Sequence, residues 1–416
     1  MSPGVDFDPK LPSVIQDPYP LLHALMEHDP VHYSRRLGGW VLTRYEHVRN
    51  GLRDPRLSAD RIRPFIEHLP PAERARLEGL GHHLGLWAVF NDPPKHTRLR
   101  GLMNKAFTSR AIASLAPRVG EIVDELLDGL MDREEADLLA EFAYPLPATV
   151  IAEMLGVPRS DVHLLKKWSD ELKSFVGGAR ATPDKYDRAA QGIAEMTDYF
   201  ARFIEERRRR PGEDVTSALL AAETRGDFLS VDELVATCVL LLFAGHETTT
   251  NLIANGLLAL MRHPDQFEAL RGGLQDAALV ESAVEEMLRY DGPSLSSVRV
   301  VAEDFALEGA RLRQGERVFL MNAAANRDPR VFADPDRFDI RRPDNRHLTF
   351  GFGLHFCVGA PLARLEGAVA FPRLLSRFRD FELAVAEPNW SDDIIFRAMT
   401  ALPVRYRAAA GASVAG

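Results

Sequence analysis

Residues 350–359 read Phe350-Gly351-Phe352-Gly353-Leu354-His355-Phe356-Cys357-Val358-Gly359, and they run straight into Ala360-Pro361-Leu362-Ala363-Arg364-Leu365-Glu366. The second part reads as a helix, because Pro361 suits a first helical turn. Cys357 then sits just before a helix N-terminus, where free amides and the helix dipole favour a thiolate. A lone cysteine rules out a tetrahedral zinc site with several sulfurs, whereas a single axial thiolate is what a haem iron can use. The glycines let the loop lie against a flat ligand, and Phe350 and Phe356 are expected to keep water from the sulfur. The same pattern also suits a buried, inert cysteine after a glycine-rich turn. For Cys238, inside an apolar helical run, that inert reading is favoured.

Outward from this loop, the next informative stretch is a helix expected to start at Val231. Ser230 and Glu233 form a capping box, and His263-Pro264 ends the run. That makes about 30 residues, or on the order of 45 Å at 1.5 Å per residue, apolar on most sides around Cys238 to Phe243. Such a helix is expected to cross the centre of the molecule. It carries one polar break, Ala244-Gly245-His246-Glu247-Thr248-Thr249. Thr248 can bond to the Ala244 carbonyl four residues back and disturb the helical ladder, while Ala244 and Gly245 let a flat ligand approach the backbone. A helix that merely reaches solvent at this point is the alternative.

Further helices are expected over Asp161 to Val176 and Tyr186 to Arg210, and short β runs at Gly39 to Thr43, Phe305 to Leu307, Arg317 to Met321 and Phe381 to Val385. The fold class is therefore mainly α with small β-sheets. No repeat or dividing linker is present, so residues 1–416 are expected to form a single domain. Gly/Pro-rich residues 64–94 and 177–183 read as the two mobile loops. With 51 Lys+Arg against 60 Asp+Glu, the net charge of −9 gives a nucleic-acid partner no electrostatic support. Two distant cysteines and a polar N-terminus argue against a disulfide framework or a secretory signal and for a reducing, cytoplasmic compartment. The most apolar run, Leu234 to Gly245, is too short for a membrane span of roughly 20 residues.

These motifs together resemble the soluble, bacterial-type cytochrome P-450 family of haem-thiolate monooxygenases. Phe350, Gly353, Cys357 and Gly359 match its Phe-x-x-Gly-x-x-x-Cys-x-Gly signature, and Ala244 to Thr249 match its Ala-Gly-x-Glu-Thr-Thr pattern. Glu286-Met287-Leu288-Arg289 supplies its Glu-x-x-Arg, with Arg337 in Pro335-Asp336-Arg337-Phe338 as the expected third member of a structural network.

The resemblance implies the cytochrome P-450 fold, with haem b (iron protoporphyrin IX) between the long central helix and the Cys357 loop, and Cys357 as the metal ligand. Phe350, Gly353, Gly359 and Ala244 would border the haem, and His96, Arg100, Arg299 and His355 would hold its propionates. Without it, His96 and Arg100 read as solvated helix residues. Glu247 and Thr248 would manage protons on the distal side, with His246 as a second candidate for the link to solvent. Leu240, Phe243, Leu295 and Phe396 are expected around a hydrophobic small-molecule substrate, with Ser296 and Ser297 nearby. The implied reaction inserts one atom of dioxygen into that substrate. No Gly-x-Gly-x-x-Gly stretch follows a strand and no reductase is expected after Arg405. Electrons are therefore expected from an external ferredoxin and ferredoxin reductase, docking on a basic patch of Arg98, Lys105, Arg110 and Arg364. A peroxide-driven peroxygenase and a haem-based sensor are the alternatives; the acid and alcohol at 247 and 248 count against the first.

Overall fold

The computed structural model describes residues 6–177, 184–223 and 229–409. Its organising element is the central helix Val231–Arg262, 32 residues long, so about 48 Å end to end. The capping box forms as expected: the Glu233 amide donates to Ser230 Oγ at 3.1 Å, and the Ser230 amide donates to the Glu233 carboxylate at 3.0 Å. Residues 233–243 are buried without exception. Helices Pro145–Leu155, Lys185–Arg209, Ala277–Asp291 and Ala360–Arg377 pack around this rod, which explains why it is apolar on every side. The helices expected near 161–176 and 186–210 are Val162–Val176 and Lys185–Arg209.

The β structure is small and peripheral. A five-stranded sheet runs in the order Val31–Ser34, Gly39–Leu42, Arg317–Leu320, Ser297–Val301, Leu57–Ser58, with one parallel pair between the second and third. Three strands, Glu135–Asp137, Pro403–Ala408 and Phe378–Leu383, form a second sheet. Phe305–Leu307 and Ala310–Leu312 form a hairpin. This is a mainly α architecture with small sheets.

One segment departs from expectation. Residues 64–94, read as a mobile loop, carry most of three short helices: Ile62–Glu67, Pro71–Arg76 and Glu78–Leu84. Leu77, Leu80 and Leu84 recur at helical spacing and are buried, and that packing outweighs the local Gly and Pro content. The second expected loop, 177–183, lies outside the described residues beyond Gly177.

The Glu286–Arg289 pair is fully buried, with Arg289 donating to both carboxylate oxygens at 2.7 and 2.8 Å. The expected third member is corrected. Arg337 is exposed and offers only its carbonyl, to Arg289 at 3.1 Å. The third cation is Arg342, whose Nε lies 3.1 and 3.2 Å from the two Glu286 oxygens. The chain curls after Phe338, so the side chain of Arg342, four residues later, reaches inward while Arg337 points to solvent. The Asp339 amide and Asn345 Nδ2 complete the shell around Glu286 at 2.8 and 3.1 Å.

Candidate functional site

The cysteine loop is fixed by its backbone. The Cys357 amide donates to the Phe350 carbonyl at 2.9 Å, and Gly351 and Gly353 adopt φ of 73° and 77°, a region that favours glycine. A short turn over Gly353–His355 then delivers Cys357 to the start of the helix Ala360–Arg377. Burial pushes the Cys357 thiol up, while the amides of Gly359 and Ala360 and the charge of Arg100 favour its thiolate. Of the two expected shielding rings, Phe350 packs beneath the Arg364 guanidinium at 4.6 Å, whereas Phe356 is 41% exposed on the outer surface.

Across a cavity from this sulfur lies the polar break of the central helix. Leu241, Ala244, Gly245, Thr248, Thr249 and Leu252 form one stripe at three- and four-residue spacing, and they share that cavity with Cys357, Gly359 and Leu362. Ala244 is exposed in the middle of an otherwise buried helix because this surface faces the cavity rather than a neighbouring element. Thr248 Oγ1 donates to the Ala244 carbonyl at 3.1 Å, as the spacing suggests, yet the helix continues unbroken.

Glu247 points elsewhere. It is 4% exposed, does not line the cavity, and its Oε2 lies 2.8 Å from Lys173 Nζ on the helix Val162–Val176. Burial alone would raise its pKa, but His246 and Lys173 override that and hold the carboxyl down to about 2. The His246 Nδ1 is 2.8 Å from the Leu242 carbonyl, and its Nε2 faces Glu247 at 3.5 Å.

The residues expected at the propionates gather on one side. The His96 and His355 rings are 4.2 Å apart, and Arg299 and His355 line the cavity. His96 Nδ1 is buried without a hydrogen-bond partner among the described residues. Arg299 is 7% exposed, and among the described residues its guanidinium donates only to the neighbouring Val298 carbonyl at 3.0 Å. Burial pushes Arg299 down to about 10 and His355 down to about 3. Arg100, half-buried, donates to Asn104 at 3.0 Å. Desolvated cations and imidazoles without an acid in contact are what a buried dianion requires, so the donor set fits a haem with two propionates.

The four expected substrate residues do not line the cavity. Phe243 lies on the opposite face of the helix, against Trp87 at 5.7 Å, and Leu240 is buried on the flank. Leu295 packs in a separate core with Phe7 and Val14, and Phe396 pairs with Ser294 in an isolated bridge. The cavity wall is instead Val89, Leu241, Ala244, Pro293, Ser294 and Ser297. A one-residue step in a helix turns a side chain by about 100°, so apolar character at 240 and 243 could not distinguish the cavity face from the packed one. Of the two serines, Ser296 donates to the Ile394 carbonyl at 2.6 Å and Ser297 faces the cavity.

The sequence model of the cytochrome P450 family matches residues 70–393. The chain is 43% identical over 400 residues to the cytochrome P450 monooxygenase PikC of Streptomyces venezuelae, spanning 94% of this chain and 91% of that protein. The chain belongs to the cytochrome P450 family. It is also 42% identical over 395 residues to the vitamin D(3) 25-hydroxylase of Pseudonocardia autotrophica, covering 94% of each. The solved structure of P450BioI, in complex with hexadec-9Z-enoic acid ligated acyl carrier protein, superposes with a TM-score of 0.87 at 37% identity, over 95% of this chain and all of that one. This P450 is a haem-thiolate monooxygenase of small-molecule substrates, an oxidoreductase whose cofactor is haem b. Among the described residues no helix is long and apolar enough to cross a membrane.

Lys173, Arg342, Arg61 and Asp393 are charged residues of this neighbourhood or of the Glu286 network that the sequence did not single out. None carries a motif; each earns its place by a contact between distant segments.

Proposed function

We propose that Cys357 supplies the axial thiolate, that His96, Arg100, Arg299 and His355 hold the propionates, and that Glu247 and Thr248 manage protons. The observation that carries this reading is the single cavity bounded by Cys357 on one wall and by Ala244 and Thr248 on the other. When bound, the haem supplies the activation of dioxygen and the transfer of one oxygen atom to a C–H bond or alkene. Thr248 donates its hydroxyl hydrogen bond to the Ala244 carbonyl, which leaves its lone pairs free to accept a hydrogen bond from the cavity side. Glu247, held by Lys173 and His246, is the gate to solvent: opening that ion pair frees its carboxylate to take up a proton and pass it toward Thr248. Val89, Leu241 and Pro293 exclude water and favour a hydrophobic substrate.

Electrons come from separate partners, a ferredoxin and its reductase, in the cytosol. On the cysteine side Lys105, Arg110, Leu354 and Phe356 are exposed. Arg98 and Arg364 contribute less charge there than expected, being paired with Glu233 and Glu285. In Cys357→Ser, the reduced carbon monoxide complex is expected to lose the strongly red-shifted band of thiolate ligation; retention of the band removes Cys357 from the site. Thr248→Ala is expected to keep haem and substrate binding but to divert cofactor oxidation from product to hydrogen peroxide, read as product formed per cofactor oxidised. An unchanged ratio removes Thr248 from proton handling.

A further inference from the structure

Ser294, Ser296 and Ser297 stand between the helix Ala277–Asp291 and the start of the strand Ser297–Val301, and their hydroxyls are committed differently. Ser296 is buried, and its hydroxyl donates to the Ile394 carbonyl at 2.6 Å. Ser294 and Ser297 are half-buried, and both line the cavity shared by Cys357, Ala244 and Thr248. Asn322 reaches between these two from the start of the short helix Asn322–Ala325 and is 1% exposed. Its Nδ2 donates to Ser294 Oγ at 2.7 Å and to Ser297 Oγ at 2.9 Å. Both hydrogens of the amide nitrogen are thereby used. Each serine oxygen has accepted a bond and keeps its own proton to give. Among the described residues, neither hydroxyl gives that proton to a protein acceptor.

The reverse orientation of the amide costs more. Asn322 Oδ1 is buried without a partner among the described residues. Exchanging it with Nδ2 would satisfy the oxygen but bury two N–H donors unpaired, and orphaned donors are rarer than under-used carbonyls. The backbone around the serines is also fixed. The Leu295 amide donates to the Ile395 carbonyl at 2.8 Å, the Arg397 amide to the Pro293 carbonyl at 3.0 Å and the Ala323 amide to the Leu295 carbonyl at 3.2 Å, while Ser297 pairs with Leu320 in the sheet. A planar NH2 spreads its hydrogens by about 120°, so the two serine oxygens stand about 5 Å apart, and one carbonyl oxygen on the cavity side can accept from both along its two lone pairs. The adjoining wall of Val89, Leu241, Ala244 and Pro293 is apolar. Together they complement a hydrophobic body that carries a neutral acceptor.

We propose that Ser294 and Ser297, oriented by Asn322, bind a carbonyl oxygen of the substrate, so that this monooxygenase takes hydrophobic ketones, esters or lactones in preference to hydrocarbons. The proposal rests on the monooxygenase reading and names its substrate class. Asn322 is a positioning residue that acts through the two hydroxyls. A haem propionate is the competing acceptor, since Ser297 shares a strand face with Arg299 two residues on. The propionates have His96, Arg100, Arg299 and His355, and two neutral hydroxyls suit a neutral oxygen, which carries no desolvated charge to offset. Held at its carbonyl, the substrate presents to the haem a carbon at a set distance from that group, and oxidation falls at one position.

The test titrates the haem-loaded protein with matched pairs, cyclododecanone and cyclopentadecanone each against the parent cycloalkane and methyl laurate against pentadecane, reading the low-to-high-spin change of the haem spectrum. The unmodified protein is expected to bind the carbonyl member of a pair more tightly. Ser294→Ala and Ser297→Ala are each expected to weaken that binding by about twofold to tenfold, the range of a neutral hydrogen bond, with hydrocarbon binding and haem retention unchanged. Asn322→Asp places a carboxylate that accepts from both hydroxyls and turns their protons off the cavity, so the preference should vanish although both serines remain. If that variant does not fold, the two serine variants decide. Equal binding of the two members, equal weakening of both in the serine variants, or a preference retained in a folded Asn322→Asp overturns the proposal. Faster haem loss from the serine variants with an unchanged preference assigns the hydroxyls to a propionate and also overturns it. If no member of any pair perturbs the spectrum while the carbon monoxide complex keeps its thiolate band, the carbonyl assignment fails and the monooxygenase reading stands.

Discussion

The buried charges around Glu286 and those beside the Cys357 cavity differ in one respect. Arg289 and Arg342 surround Glu286, and Arg289 spends its remaining donors on the carbonyls of Asn326, Pro335 and Arg337 at 2.9, 2.7 and 3.1 Å. Arg299 and His355, which line the cavity, have no acid in contact among the described residues and are pushed down by burial. The first cluster is electrostatically complete within the chain; the second is complementary to anions brought from outside. Burial of charge is therefore not itself a sign of function. Whether the chain supplies the counter-charge separates a structural cluster from a binding one.

Breaking the complete cluster should have the largest effect. Arg289→Ala strips Glu286 of two hydrogen bonds in a site with no exposure and leaves it to Arg342, and the loss of a buried partner costs about 3–5 kcal/mol. The expected result is little soluble, haem-loaded protein. Arg342→Ala should be destabilising in the same direction, whereas Arg337→Ala, exposed and acting through its backbone, should change stability by no more than about 0.5 kcal/mol. Urea unfolding of the three variants checks this order, and equal losses at 337 and 342 would restore Arg337 to the network.

On the incomplete side, Arg299→Ala should do the opposite of Arg289→Ala. It removes a desolvated cation that the chain does not pair, so secondary structure should be retained while haem is lost faster to an excess of a haem-scavenging protein. A rate of haem loss unchanged from the unmodified protein would place the propionates elsewhere.

The smallest effect sharpens the comparison from the acid side. Asp393 is a buried carboxyl whose nearest cation, Lys173, is committed to Glu247, and burial pushes it up to about 6. The folded chain therefore binds this proton more tightly than the unfolded one, and stability from this group falls as pH rises from about 4 to about 6, then stays level. Asp393→Asn removes that loss. Its unfolding midpoint, relative to the unmodified protein, should improve across this interval and hold a constant offset above it. A pH-independent offset would show that Asp393 is ionised throughout.

Much of the site was legible in the sequence because backbone chemistry marks it. Gly351 and Gly353 stand where positive φ is needed, Pro361 opens the helix behind Cys357, and Thr248 reaches the carbonyl four residues back; each relation spans a few residues. The central helix was readable from its capping box and its length for the same reason. What failed were relations across the chain. Arg337 and Arg342 are equally plausible partners of Glu286 until the curl after Phe338 is known. The cavity face of the central helix could not be told from its packed face by hydrophobicity, because both are apolar. The contact between Glu247 and Lys173, 74 residues away, which draws the carboxylate off the cavity, was not readable either. The local geometry of the cysteine loop, the long helix and the family were thus fixed by the amino-acid sequence, since short-range sterics and hydrogen bonding specify them. The pairing of buried charges was decided only by tertiary packing, because an ion pair depends on which distant segment arrives within about 4 Å, and no periodicity records that.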